Sequence, residues 1–244
     1  MVELLTIDGE EFEIMCITPD LYEESEELFM YVFPNFGNMC LCTNLKEAPE
    51  AMEELRKLML AVLNDGISFA ARHRATDQLV GICCNKIINN KKNITLDEAL
   101  KNLKSPEMLA IDAYFELLEN GYDIFKEWQV ESAFEIEFLA VHPAWGKRGL
   151  GFSILSHALD FAHAMAKGEL RPDQMAHVSK QIREEQPQVA MGLFTSFYTQ
   201  KMVAKLNFVS INVVPISEIS FENNTFTQFI DSQHVNSQFA AKRL

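Results

Sequence analysis

One stretch constrains this chain more than any other: Phe134-Glu135-Ile136-Glu137-Phe138-Leu139-Ala140-Val141, His142-Pro143-Ala144-Trp145, then Gly146-Lys147-Arg148-Gly149-Leu150-Gly151-Phe152. The first eight residues read as a strand, Pro143 as a turn and the glycines as a loop. Ile154, Leu155, Ala158, Leu159 and Ala162 then recur at helical spacing, so a helix is expected from Phe152 to about Ala166. A helix N-terminus carries unpaired N–H groups and partial positive charge, which suit a phosphate. Glycine lets the backbone approach that phosphate closely, and Lys147 and Arg148 add charge beside it. The loop follows a strand past mid-chain, whereas a Rossmann fingerprint usually opens its domain.

Around this unit the pattern alternates between strand and helix. Strands are expected at Phe12 to Ile17, Ile67 to His73, Leu79 to Ile88, Val189 to Phe194 and Phe208 to Ile216. Thr18-Pro19 reads as the cap and first position of a helix that stops at Pro34, and Pro49 to Leu63 and Tyr198 to Leu206 read as helices. Residues 89–131 form an insert that turns helical around Leu96 to Leu118. Ile67 to His73 and Leu79 to Ile88, joined by the polar Arg74 to Gln78, read as a hairpin of antiparallel strands, and the later strand–helix–strand predicts a parallel pair, so the expected class is α/β with a mixed sheet. No linker or repeat divides the chain, and one domain over residues 1–244 is expected.

Composition removes several function classes. A net charge of -14 argues against nucleic acid as a partner and is compatible with a cationic one. No apolar run approaches the ~20 residues that span a bilayer, and the first residues carry no basic leader, so a cytoplasmic protein without membrane contact is expected. Cys16, Cys40, Cys42, Cys83 and Cys84 are an odd set without paired metal spacing, which predicts reduced, mostly buried thiols and no metal. The sequons at Asn93 and Asn223 carry no weight without secretion.

The glycine loop resembles motif A of the GNAT superfamily of N-acetyltransferases, R/Q-x-x-G-x-G/A after a strand ending in V-x-P. Gly149 and Gly151 match, and Gly146 stands at the R/Q position. Thr195 to Phe208 resembles motif B, with Asn207 in place of the glycine of K-L-G-F. Thr195 and Thr199, the insert and Phe29-x-x-x-Phe33-Pro34 are similar to the arylalkylamine N-acetyltransferases of insects, whose pattern carries a catalytic glutamate where Phe33 stands. The resemblance implies the GNAT fold, a mostly antiparallel sheet with a splayed parallel pair. It also implies acetyl-CoA as cosubstrate and a small arylalkylamine or polyamine as acceptor, on a chain acting as a monomer.

The implied cofactor contacts are Leu139, Ala140 and Val141 on the strand, Gly146 to Phe152 in the loop, and Thr195 and Ser196. Direct attack of an amine on the thioester needs a base, because a primary alkylamine is mostly protonated at neutral pH. Glu135 and Glu137 lie two apart and share a strand face, so either fits, and both also fit a solvated face. Glu135 is favoured, because the histone acetyltransferase branch carries its glutamate close to that position. Thr199 fits either a contact to the CoA sulfur or a helix cap, Val203 stands where many relatives carry a general-acid tyrosine, and Tyr198 lies elsewhere on the helix. His142 is expected to be exposed. A chain of the same fold that binds acyl-CoA without turnover is the alternative.

Overall fold

The computed structural model describes residues 2–222 and 224–244; the sequon at Asn223 lies outside the described residues. The chain opens with a hairpin, β1 (Val2–Ile7) and β2 (Glu10–Cys16), then α1 (Tyr22–Phe36), α2 (Asn38–Cys42) and α3 (Pro49–Leu63). β3 (Phe69–His73) and β4 (Gln78–Ile88) form the next hairpin. α4 (Asp97–Leu100), α5 (Pro106–Glu119) and α6 (Ile124–Glu127) fill the insert before β5 (Ala133–Val141). The second half runs α7 (Leu150–Ala166), α8 (Pro172–Met175), β6 (Val189–Phe194), α9 (Phe197–Lys205) and β7 (Val209–Pro215). A two-residue ladder, β8 (Ser220–Phe221) with β9 (Asn224–Thr225), precedes the last strand, β10 (Asn236–Arg243).

Eight strands make one sheet in the order β1-β2-β3-β4-β5-β6-β10-β7. Every pairing is antiparallel except β5 with β6. The mixed sheet and its parallel pair are as the strand pattern implied. One face is covered by α1, α3 and α5, where Phe29, Met59 and Tyr114 are buried. The other is covered by α7 and α9, through Ile154, Leu155 and Val203.

Several elements differ from the sequence expectation. The expected first strand is the second, because β1 precedes it and pairs along its whole length. The Thr18 hydroxyl bonds the Asp20 carboxylate rather than a helix N–H, so it opens a short 3-10 turn and α1 begins at Tyr22. Pro34 does not stop α1, which runs to Phe36 with Gly37 as its cap. A proline in the last turn removes one helical N–H bond, a loss the buried face through Phe29 and Val32 tolerates. The helix around Leu96 to Leu118 is two helices, since Ser105 caps a fresh start at Pro106 by accepting from Met108 N–H. The strand β10 was not anticipated, and it lies between β6 and β7. All five cysteines are free thiols, four of them buried.

Candidate active site

β5 and β6 pair only through Ala133–Val189, Phe134–Ala190 and Glu135–Met191. Beyond that point they part. At the fork a Cβ on Gly192 would stand 2.9 Å from the Ile136 carbonyl oxygen, so only glycine fits this close approach. From Ile136 onward the β6-facing edge of β5 has no strand partner, which leaves backbone groups available to a ligand. Asn38 spans the far side of the fork, its amide donating to the Thr195 carbonyl at 2.8 Å. Gln200 holds the end of β6 to β10 by donating to the carbonyls of Phe194 and Asn236.

β5 also carries a bulge. Cys84 pairs with Phe138 and Asn85 with Ile136, which leaves Glu137 without a partner on β4. The extra residue resets the alternation. Ile136 faces the α7 side, Phe138 and Ala140 face the α1 side, and Leu139 and Val141 return to the α7 side. Glu135 and Glu137 are half-buried and hydrogen-bonded to each other. Burial pushes the Glu135 carboxyl well above its ordinary range, and the charge of Glu137 pushes it further. Burial raises Glu137 to about 7, against the opposing hydrogen bond from Glu135 and the charge of Lys86. The two therefore titrate as one coupled pair, and burial favours its protonated forms.

Residues from three other elements surround this pair. Lys86 is directly opposite Glu135 across β4 and β5. It is buried and bonds Asp65 at 2.9 Å, while the second Asp65 oxygen accepts the Ile87 N–H at 2.9 Å. Glu119 at the end of α5 acts on both carboxyls, and its own carboxyl is raised by burial and then by Glu116 and Asp112. It also lines a cavity of about 310 Å³ with Tyr122, Asp123, Glu127 and Asn212. Sequence reasoning missed Asp65, Lys86 and Glu119. A lone lysine inside the apolar run Leu79 to Ile88 is the signal that points to a buried partner.

The glycine loop lies at the other end of β5. Gly149 caps α7 in the left-handed region, φ 95°, and a Cβ there would meet nothing within 4 Å. No side chain caps α7, so the N–H groups of Leu150, Gly151 and Phe152 lack partners within the helix. Gly151 sits against Val141 and Met202, which wedges the helix start between β5 and α9. This arrangement fits a pyrophosphate in its donors and in its open space. The two loop cations differ. Arg148 is ion-paired with Glu10 at 2.6 Å and lies over the Trp145 ring, whereas Lys147 reaches over Tyr198. His142 is half-buried rather than exposed, because it stacks on Tyr31 at 5.1 Å.

Arylalkylamine N-acetyltransferase 2 from Aedes aegypti superimposes at a TM-score of 0.75 over 95% of this chain and 98% of that one, at 18% identity. The polyamine N-acetyltransferase of Drosophila melanogaster, which forms N-acetylagmatine, gives 0.70 over 96% and 100%, at 14% identity. The C-terminal condensation domain of Ebony, in complex with β-alanyl-dopamine, gives 0.61 over 96% and 100%, at 12% identity. The chain has the GNAT fold. No protein-family profile and no curated protein matches its sequence.

Within the GNAT fold the motif B residues act locally. Ser196 caps α9 by accepting from Tyr198 N–H at 3.2 Å, and the Thr199 hydroxyl donates to the Ser196 carbonyl at 2.9 Å. Asn207 adopts the left-handed φ of 63° that its place at a glycine position requires. Phe33 packs on Phe29 and Phe138, ring centroids 4.5 and 5.3 Å away, so no carboxylate enters from α1 there. Val203 is core. Among the described residues no group of three or more His, Cys, Asp or Glu is placed to hold a metal, and no helix is long and apolar enough to cross a membrane.

Proposed function

We propose that the chain is an acetyl-CoA-dependent N-acetyltransferase acting on the primary amine of a small arylalkylamine or polyamine. The observation that carries this reading is a pair of half-buried carboxyls at the point where β5 leaves β6, on the strand that leads to a helix start without a side-chain cap. Leu150, Gly151 and Phe152 N–H groups, with Lys147 and Arg148 beside them, are the donors for the pyrophosphate. Thr195 and Ser196, between the end of β6 and the start of α9, would contact the pantetheine arm. Bound acetyl-CoA supplies an activated acyl group. On the unpaired edge of β5, Leu139 and Val141 supply N–H donors to the carbonyl oxygen as it gains charge, while the Ala140 N–H between them faces β4, as that of His142 does.

The base is the Glu135–Glu137 pair, and Glu137 is the member that takes the proton. A protonated amine gives one proton to the Glu137 carboxylate, directly or through water; the neutral nitrogen bonds the acyl carbon, the C–S bond breaks, and the second proton that nitrogen loses passes to the departing sulfur, so CoA leaves as the thiol. Glu135 keeps its proton and holds Glu137 by hydrogen bond. Taking Glu137 as the acceptor departs from the preference for Glu135 read from sequence register, and the upward push of burial and of the Glu137 charge on Glu135 supports it. The cavity beside Glu119 carries the carboxyls of Glu119, Asp123 and Glu127 against the one ammonium of Lys126, a balance that favours a cationic acceptor. Thr199 is assigned to shaping the helix start that faces the fork.

The test supplies acetyl-CoA with a panel of aryl- and polyamines and measures free thiol. Turnover should fall as pH drops below about 7, where Glu137 becomes protonated. Glu137→Gln should lower turnover by roughly two to four powers of ten while acetyl-CoA still binds. Glu135→Gln keeps a hydrogen-bond donor and should cost far less. Acetyl-CoA binding without thiol release for any amine would identify a binding protein of this fold instead.

A further inference from the structure

The buried pair Lys86–Asp65 has no part in the reaction as written, yet Lys86 stands opposite one of the carboxyls that do. Its geometry is specific. Lys86 and Glu135 are directly opposed across β4 and β5, which puts their Cβ atoms about 5 Å apart. The Lys86 ammonium does not complete an ion pair with either glutamate; it is drawn aside to Asp65 at 2.9 Å. Asp65 is anchored by its second oxygen to the Ile87 N–H, and the neighbouring Asn85 is pinned through Ile67 and Ser68. An isolated buried ion pair stabilises little once desolvation is subtracted. Stability alone is therefore a weak account of why two charges are buried beside a pair of half-buried acids.

We propose that Lys86 is a positioning residue for the base, holding the Glu135–Glu137 pair at a single negative charge, and that Asp65 restrains Lys86 from neutralising it further. This rests on the reading of that pair as the base. The charged and titratable groups facing the pair are Lys86 and the Cys84 thiol from β4, Asp65 from the turn after α3, and Glu119 from α5, with Asp112 and Glu116 behind it. Lys86 is the one cation among them, and it favours ionisation of both glutamates, whereas Asp65 opposes ionisation of Glu137. Too little positive field leaves both carboxyls protonated at neutral pH. A full ion pair with Lys86 would leave Glu137 too weak a base.

Two variants with opposite signs test this. Lys86→Met should move the acidic limb of the kcat/KM profile upward by about one pH unit, a tenfold loss on the acid side that disappears at high pH. Asp65→Asn should move the same limb downward by a similar amount. Carbon-13 NMR titration of the glutamate carboxyls in the same full-length proteins reads the field without turnover. Folded variants whose carboxyl titrations do not move, or both move the same way, overturn the role of Lys86. If Lys86→Met destabilises the fold, the downward shift in Asp65→Asn decides alone. Carboxyl titrations that shift as stated while the kinetic limb stays fixed would retain the electrostatic role and remove the pair as the base.

Discussion

The two ends of β5 are built on different principles. The glycine loop presents backbone N–H groups of consecutive residues, and its geometry follows from Gly149 and a helix start. The carboxyl site collects side chains from β4, β5, α5 and the turn after α3, and its character comes from what each does to the others. The first is local and the second is collective. A local site fails when its own backbone or its open space is altered. A collective site fails by degrees, through neighbours that never touch a substrate.

The sharpest way to break this contrast is at Gly149. Glu there sets bulk and negative charge against a pyrophosphate, so the apparent acetyl-CoA constant should rise by about a hundredfold, since like charges in an interface cost several kcal/mol. Gly149→Ala reads the backbone strain by itself, about 1–2 kcal/mol at positive φ. Calorimetric binding that is unchanged in a folded Gly149→Glu protein would show that the loop is not the phosphate site.

A second measurement addresses the collective site through stability. Glu137 is raised from 4.5 to about 7 in the fold, so the fold favours its neutral form. That contribution is complete below the unfolded value near 4.5 and is lost as pH rises through about 7. Glutamine is neutral throughout. Urea unfolding should therefore show Glu137→Gln gaining on the parent between pH 5 and 8, by roughly 1–3 kcal/mol. A constant difference across that window would mean that the carboxyl is not held in its neutral form.

The smallest effect is expected at Arg148. Its partner Glu10 and its contact with Trp145 tie it down, and both ion-pair members are more than a third exposed. Arg148→Ala should weaken acetyl-CoA binding by roughly twofold to fivefold, less at high salt, with stability almost unchanged. A loss as large as that of Gly149→Glu would make the loop a side-chain site and erase the distinction.

Legibility divides along the same line. α3 from Pro49 to Leu63 and β6 from Val189 to Phe194 begin and end where periodicity and caps predict, because each buries one regular face. The loop was equally legible, from glycine spacing next to a strand and a helix. β10 was not. Asn236-Ser237-Gln238-Phe239-Ala240-Ala241-Lys242-Arg243 has little strand propensity and is a strand because β6 and β7 pair with it on both sides. Thr18 and Pro34 misled because capping and breaking rules describe isolated helices, and here packing moved both ends of α1.

Sequence alone determined the strand–loop–helix unit, the mixed sheet and the presence of two acids on β5, since these depend on neighbours a few residues apart. It did not reach what surrounds those acids. Only the tertiary structure decided that, through a bulge at Glu137, the parting of β5 from β6 after Glu135, and Lys86, Asp65 and Glu119 brought in from elsewhere. The physical reason is range. Hydrogen bonding along a helix or loop is settled within a turn, whereas a carboxyl's charge in a half-buried site is set by desolvation and by every charge within several ångströms, whatever its place in the chain.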